Sequence, residues 1–193
     1  MVNNSKTKGS NFEREIARDL SLWWSNGKRD DIFTRSDSSG ARFTQRKKTD
    51  KDTAFQSGDI ACSDPAGILL LELFSIEVKT GYGKKNKDKI VLWDVLDILD
   101  SDQKIPVIFS LWQQCENDAE LANKEPMLIF RRNRRKKCIA FKRSYFSTLE
   151  LWFGSTDYPI IKLQEICIMN LNNFFNWIPD IRTICKVKLK RSK

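Results

Sequence analysis

The chain has 193 residues with 34 Lys and Arg against 25 Asp and Glu, a formal charge of +9, and 40% of its residues are hydrophobic, with twelve Phe and six Trp. That is enough apolar side chain for one core, and the composition is globular rather than disordered. Histidine is absent, which excludes Ser-His-Asp and Cys-His hydrolases, His-ligated zinc enzymes and imidazole proton shuttles, so any chemistry must run on carboxylates, Lys, Arg, hydroxyls, thiols or a bound metal. Cys62, Cys115, Cys138, Cys167 and Cys185 are odd in number, far apart and form no C-x-x-C pair, so they are expected to be reduced, structural thiols. The N-terminus is polar and no apolar run reaches the roughly 18 residues that span a bilayer, so no membrane association is expected, and the excess positive charge points first to nucleic acid.

In chain order, Ser10 is predicted to cap a helix over residues 10–25, with Glu13 completing a capping box and Phe12, Ile16, Leu20 and Trp23 at helical spacing. Asn26-Gly27 stops it, and Asp31–Arg35 reads as a short strand. Residues 36–57 hold few large apolar side chains and carry Ser38, Ser39, Arg42, Arg46, Lys47 and Lys48, a long basic loop of the kind that is usually functional. Gly58–Cys62 is predicted as a strand, Ser63–Gly67 as a turn, and Ile68–Lys79 (ILLLELFSIEVK) as the returning strand of a hairpin. Gly81–Lys89 is a basic loop, Trp93–Leu99 a short amphipathic turn or helix, Ile105–Ala122 a second long helix, Pro126–Phe130 a buried strand, and Cys138–Phe141 a further strand after the basic connection Arg131–Lys137. Tyr145–Phe153 and Ile160–Met169 fit either strand or helix. Asn172–Trp177 is predicted to turn helically onto the core, and the tail from Arg182 to be basic and frayed.

The chemistry centres on Asp59 and on Glu77-Val78-Lys79. Residues two apart in a strand share a face, so Glu77 and Lys79 point the same way, and pairing of the two strands sets Asp59 beside Glu77. Two carboxylates with the Val78 carbonyl make an all-oxygen site suited to Mg²⁺, with Mn²⁺ also acceptable. An ammonium at Lys79 could orient an attacking water and offset phosphate charge. That set is sufficient for metal-assisted phosphodiester hydrolysis without histidine.

Gly58-Asp59-Ile60 followed by Glu77-Val78-Lys79 resembles the PD-(D/E)XK nuclease superfamily, here without a Pro before the Asp. Lys8-Gly9, Glu13-Arg14-Glu15, Arg35-Ser36 and Ser38-Ser39 are similar to the pattern of its Holliday junction resolvases, while the long segment before Asp59, the long C-terminal part and Trp23-Trp24 look like phage-encoded nuclease-like proteins. The resemblance implies Glu13 as a further metal-side carboxylate, Asp59 and Glu77 as metal ligands, Lys79 as the catalytic lysine, and Arg14, Arg35 and Ser38 or Ser39 at the DNA. It also implies an α/β, restriction-endonuclease-like α-β-β-β-α-β core with a mixed central sheet flanked by helices.

The expected organisation is a nuclease core over residues 1–145, containing the 36–57 loop, and a C-terminal extension over 146–193 packed on it. The expected activity is Mg²⁺-dependent endonucleolytic cleavage of branched DNA such as Holliday junctions by a homodimer in the cytoplasm, the host's if the chain is phage-encoded, with no small-molecule cofactor beyond the metal. Cleavage of duplex DNA in a restriction-like or degradative role, and an inactive DNA-binding module on a nuclease scaffold, are the alternatives. Arg42, Arg46, Lys47 and Lys48 are assigned to phosphate contact. Arg131, Arg132 and Arg134, in the densest basic run of the chain, fit either DNA binding or a charged hairpin that blunts a sheet edge.

Overall fold

The computed structural model describes residues 4–36, 57–81 and 106–191. Helix α1 (Asn4–Trp24) turns Phe12, Ile16, Ala17, Leu20, Trp23 and Trp24 into the core at the spacing the sequence indicated. It begins six residues before Ser10, so Ser10 is an interior residue and the expected capping box is not formed. Tertiary contact is the reason: the Lys8 ammonium donates to Asn133 Oδ1, anchoring helical turns whose own propensity is poor. Asn26 and Gly27 adopt positive φ and the Gly27 N–H reaches the Leu22 carbonyl at 2.7 Å, closing the helix. Trp23 and Trp24 serve as anchors, their indole N–H groups donating to the carbonyls of Ile178 at 2.6 Å and Ala66 at 2.8 Å.

Strand β1 (Phe33–Arg35) pairs antiparallel with β2 (Ile60–Cys62) in a separate two-stranded sheet. The hairpin predicted between Gly58–Cys62 and Ile68–Lys79 is not formed. Asp64 caps a single turn at Pro65–Gly67 through its carboxylate on the Ala66 N–H at 2.8 Å, and Ile68–Leu73 continues as helix α2, burying Leu70, Leu71 and Leu73. A leucine-rich run after an Asp-Pro start favours helix, and six helical residues redirect the chain. Strand β3 (Phe74–Thr80) therefore meets the Gly58 segment in parallel, by a bridge between Gly58 and Ile76, rather than antiparallel. Glu72 is exposed on α2.

Helix α3 (Val107–Leu121) matches its prediction, and strands β4 (Glu125–Arg131) and β5 (Lys137–Lys142) follow it. The order α1, β1, β2, β3, α3, β4 reproduces the expected core sequence of elements with α2 inserted before β3. Tyr145–Phe153 is helical, within α4 (Arg143–Phe153), and Ile160–Met169 divides into strands β6 (Ile160–Leu163) and β7 (Ile166–Asn170). The main sheet has the order β3-β4-β5-β7-β6, with β3 and β4 parallel and every other pair antiparallel. Residues beyond 145 thus supply two of the five strands it has among the described residues. Helix α5 (Leu171–Trp177) is capped by Asn170 and buries Phe174 and Trp177. The tail expected to fray is helix α6 (Arg182–Arg191), because Ile181, Ile184 and Cys185 form one apolar face that is buried.

One core cluster lies between α1 and the face of the sheet carrying Ile76, Val78, Met127, Ile129, Ile139 and Phe141. The other lies under α3, where Ile108, Leu111, Trp112 and Cys115 meet Leu128, Phe130 and Ala140. All five cysteines are free. The helix or turn predicted at Trp93–Leu99 and the loop at Gly81–Lys89 beyond its first residue lie outside the described residues. Among the described residues no helix is long and apolar enough to cross a membrane.

Candidate active site

Strand β3 is an outer strand of the main sheet, and the Gly58-Asp59 segment runs along its free edge. Ile76 and Val78 turn their peptide groups to that edge, since successive residues of a strand alternate in the direction of their N–H and C=O. The Asp59 N–H donates to the Ile76 carbonyl at 2.8 Å. One Asp59 carboxylate oxygen accepts the Val78 N–H at 2.9 Å. The Val78 carbonyl consequently faces the same edge as the Asp59 carboxylate. Gly58 makes this approach possible: it sits at φ +85°, and a Cβ there would lie 2.5 Å from the Ile76 carbonyl oxygen. The glycine has a physical role at the position where the superfamily pattern carries proline.

Glu77 and Lys79 project from the opposite face to Ile76 and Val78, toward α3. Glu77 is 1% exposed. The Lys79 ammonium stands 2.7 Å from Glu77 Oε2 and 3.8 Å from Asp59 Oδ2, so one cation serves two buried carboxylates. Burial pushes the Glu77 carboxyl up to about 7, the nearby Asp59 charge adds to the rise, Lys79 offsets part of it, and Asp118 on α3 contributes further in the upward direction. Cys115, on α3 beneath Glu77, is fully buried and its thiol is pushed well above the usual range by that burial, which agrees with a structural role.

The arrangement suits a hard cation in its donor chemistry, offering two carboxylates and a carbonyl oxygen. It also carries an electrostatic reason to bind one, because two buried like charges share a single ammonium. Among the described residues no group of three or more acidic or thiol side chains is placed so that it could hold a metal ion. Glu13 does not stand with Asp59 and Glu77 as a third such carboxylate: it forms an ion pair with Arg35 on β1. The next residue, Ser36, donates its N–H to the Asp59 carbonyl at 2.8 Å, so the Glu13–Arg35 pair sits one residue from the backbone that holds Asp59.

Of the expected DNA contacts, Arg14 is exposed on α1 and donates to Asn11 Oδ1 at 3.1 Å. Arg131 is occupied, paired with Glu15 at 2.9 Å and stacked over Phe12 at 4.3 Å. Arg132 and Arg134 are exposed on the turn between β4 and β5. Ser38, Ser39, Arg42, Arg46, Lys47 and Lys48 lie outside the described residues. One contact had no signal in the sequence: Lys124, just past α3, donates to the buried Ser57 hydroxyl at 2.9 Å, tethering the segment that presents Asp59 from 67 residues away. Burial lowers the Lys124 ammonium below its ordinary value.

A family model described as "Phage putative PDDEXK endonuclease" matches the chain over residues 4–179. No curated protein and no solved structure matches it.

Proposed function

Because the chain belongs to a family of phage PD-(D/E)XK endonucleases, we propose that this nuclease hydrolyses phosphodiester bonds of branched DNA at the Asp59, Glu77 and Lys79 cluster, with Mg²⁺ as the physiological cation. The observation that carries the reading is the convergence of those three side chains from two separate segments onto one edge of the sheet, with Lys79 within 4 Å of both carboxylates.

Asp59, Glu77 and the Val78 carbonyl are the groups that would hold the cation. When bound, such an ion polarises the scissile phosphate and lowers the pKa of a coordinated water. The protein's own contribution is orientation. The Val78 N–H fixes the Asp59 carboxylate, and β3 holds Glu77 and Lys79 on one face at fixed separation. Lys79, tethered to Glu77, presents an ammonium where it can align water and balance charge developing on the phosphoryl oxygens. The cluster's low exposure keeps bulk water from screening these charges. Arg35 and Glu13 neutralise each other in the free protein. A DNA phosphate competing for Arg35 would release the Glu13 carboxylate to the cation side of the site. The basic loop at 36–57 is assigned to the flanking backbone, and a homodimer acting in the host cytoplasm completes the reading.

The test is cleavage of labelled four-way junction, fork, flap and linear duplex in Mg²⁺ and in EDTA, by wild type beside Asp59→Asn. Metal-dependent, symmetric nicks confined to the junction and lost in the variant are the expected result. Equal cutting of the duplex would replace junction selectivity by general endonuclease activity. Binding without cleavage in either Mg²⁺ or Mn²⁺ would overturn the catalytic assignment.

A further inference from the structure

The C-terminal ends of β3 and β4 open into a cavity of about 640 Å³ lined by Lys8 of α1, Thr80 of β3, Arg131 of β4, and Arg132, Asn133, Arg134 and Arg135 of the β4–β5 turn. Among the described residues no acidic side chain lines it. We propose that this cleft is a second binding site for the nucleic-acid backbone, taking the phosphates that flank the cut. The choice of ligand rests on the nuclease reading; the cleft itself rests on independent geometry.

This surface gathers several basic side chains without acidic partners around one cavity. Several basic side chains elsewhere in the folded body have acidic partners: Arg18 with Asp30, Arg29 with Asp31 and Asp64, Lys142 with Glu116, and Arg182 with Asp180. Arg131, which lines the cleft, pairs with Glu15, and Lys137, at the start of β5, pairs with Glu15 and Asp19. Among the described residues Arg132, Arg134 and Arg135 have no such partner, and Lys8 meets only the neutral Asn133 amide. Unpaired guanidiniums around an open cavity of this size call for a polyanion, and guanidinium matches phosphate in geometry as well as charge.

Edge protection does not account for the basic turn. The turn joins β4 and β5, both interior strands of the main sheet, so there is no open edge for its charges to guard. Its backbone is also built at a cost. Arg134 sits at φ +59°, a region where glycine or asparagine would be easier, and the Arg135 N–H closes the turn on the Arg132 carbonyl at 3.1 Å. The Asn133 amide further donates to the Gly81 carbonyl at 3.3 Å, locking the turn to the end of β3. Thr80 immediately follows Lys79 and, by strand alternation, points to the opposite face. The cleft thus begins one residue from the catalytic lysine on the other side of the same strand end, where a backbone passing over that end would contact both.

The test is DNA binding in EDTA as a function of salt, comparing wild type, R132Q/R134N/R135Q and the charge-preserving R132K/R134K/R135K. Removing three phosphate contacts should lower the slope of log affinity against log salt by about 2 to 3 and weaken binding roughly a hundredfold at physiological salt. The lysine variant should retain most of the slope. In cleavage assays the neutral variant should raise KM and leave kcat unchanged. An unchanged slope and affinity in the neutral variant, an equal loss in the lysine variant, or a wild type that binds no DNA would each overturn the inference. A wild type that binds but never cuts would sink the nuclease reading alone, since the binding comparison still decides the cleft.

Discussion

Replacing Glu77 by Gln should stabilise the metal-free protein while destroying its activity. In the folded chain the Glu77 carboxyl holds its proton up to about pH 7, against an ordinary value of 4.5 in the unfolded chain. Between those values the folded state binds more protons than the unfolded state, so the wild type loses stability as pH rises through the window. The difference corresponds to about 3 kcal/mol once both states are ionised, near pH 8, and to under about 1 kcal/mol at pH 5. Because Glu77 is 1% exposed, solvent screening reduces this little. Gln keeps the size of the side chain and an oxygen able to accept from Lys79, and it removes the charge. Urea unfolding in EDTA should therefore show the variant more stable than wild type by about 3 kcal/mol at pH 8, with most of the gap gone at pH 5. Adding Mg²⁺ at pH 8 should raise the wild type and leave the variant nearly unmoved. A gap independent of pH, a variant less stable at pH 8, or equal stabilisation of both by Mg²⁺ would refute the reasoning.

Gly58→Ala should cost about 2 kcal/mol or more, because the added Cβ collides with the Ile76 backbone at a positive φ; a lowered Tm together with lost cleavage is the expected pair of results, and an unchanged Tm would count against the close approach. Glu13→Gln breaks a half-buried ion pair with Arg35 and should cost about 1 kcal/mol, while shifting the Mg²⁺ dependence of cleavage to higher concentration in a metal titration. Arg131→Ala removes both the Glu15 pair and the contact over Phe12, and should lower stability by about 1 to 2 kcal/mol. Arg132→Ala should leave thermal unfolding unchanged, so equal Tm losses in the two variants would show that both arginines are structural.

Local chemistry made part of this protein legible from its residues. The apolar spacing of Phe12, Ile16 and Leu20 marks α1 because it repeats at the helical period. The alternation Glu77, Val78, Lys79 assigns opposite faces whatever the strand's partner, since the period of two is intrinsic to an extended chain. Absence of histidine restricted the chemistry to carboxylates, Lys, Arg, hydroxyls, thiols or a bound metal before any fold was known. What could not be read were properties of distant partners. Ile68–Leu73 looks apolar and strand-like, yet the Asp64 cap and leucine propensity make it helical. That helix turns the expected antiparallel hairpin into a parallel approach of Gly58 to Ile76. Glu13 reads as a capping-box residue because its partner Arg35 is 22 residues away. Lys124 carries no motif, although it holds Ser57 across 67 residues. Periodicity and residue chemistry depend on neighbours along the chain and so survive in the sequence, whereas strand register, the choice of ion-pair partner and the burial that raises Glu77 arise only when separated segments pack, and those were decided by the tertiary structure.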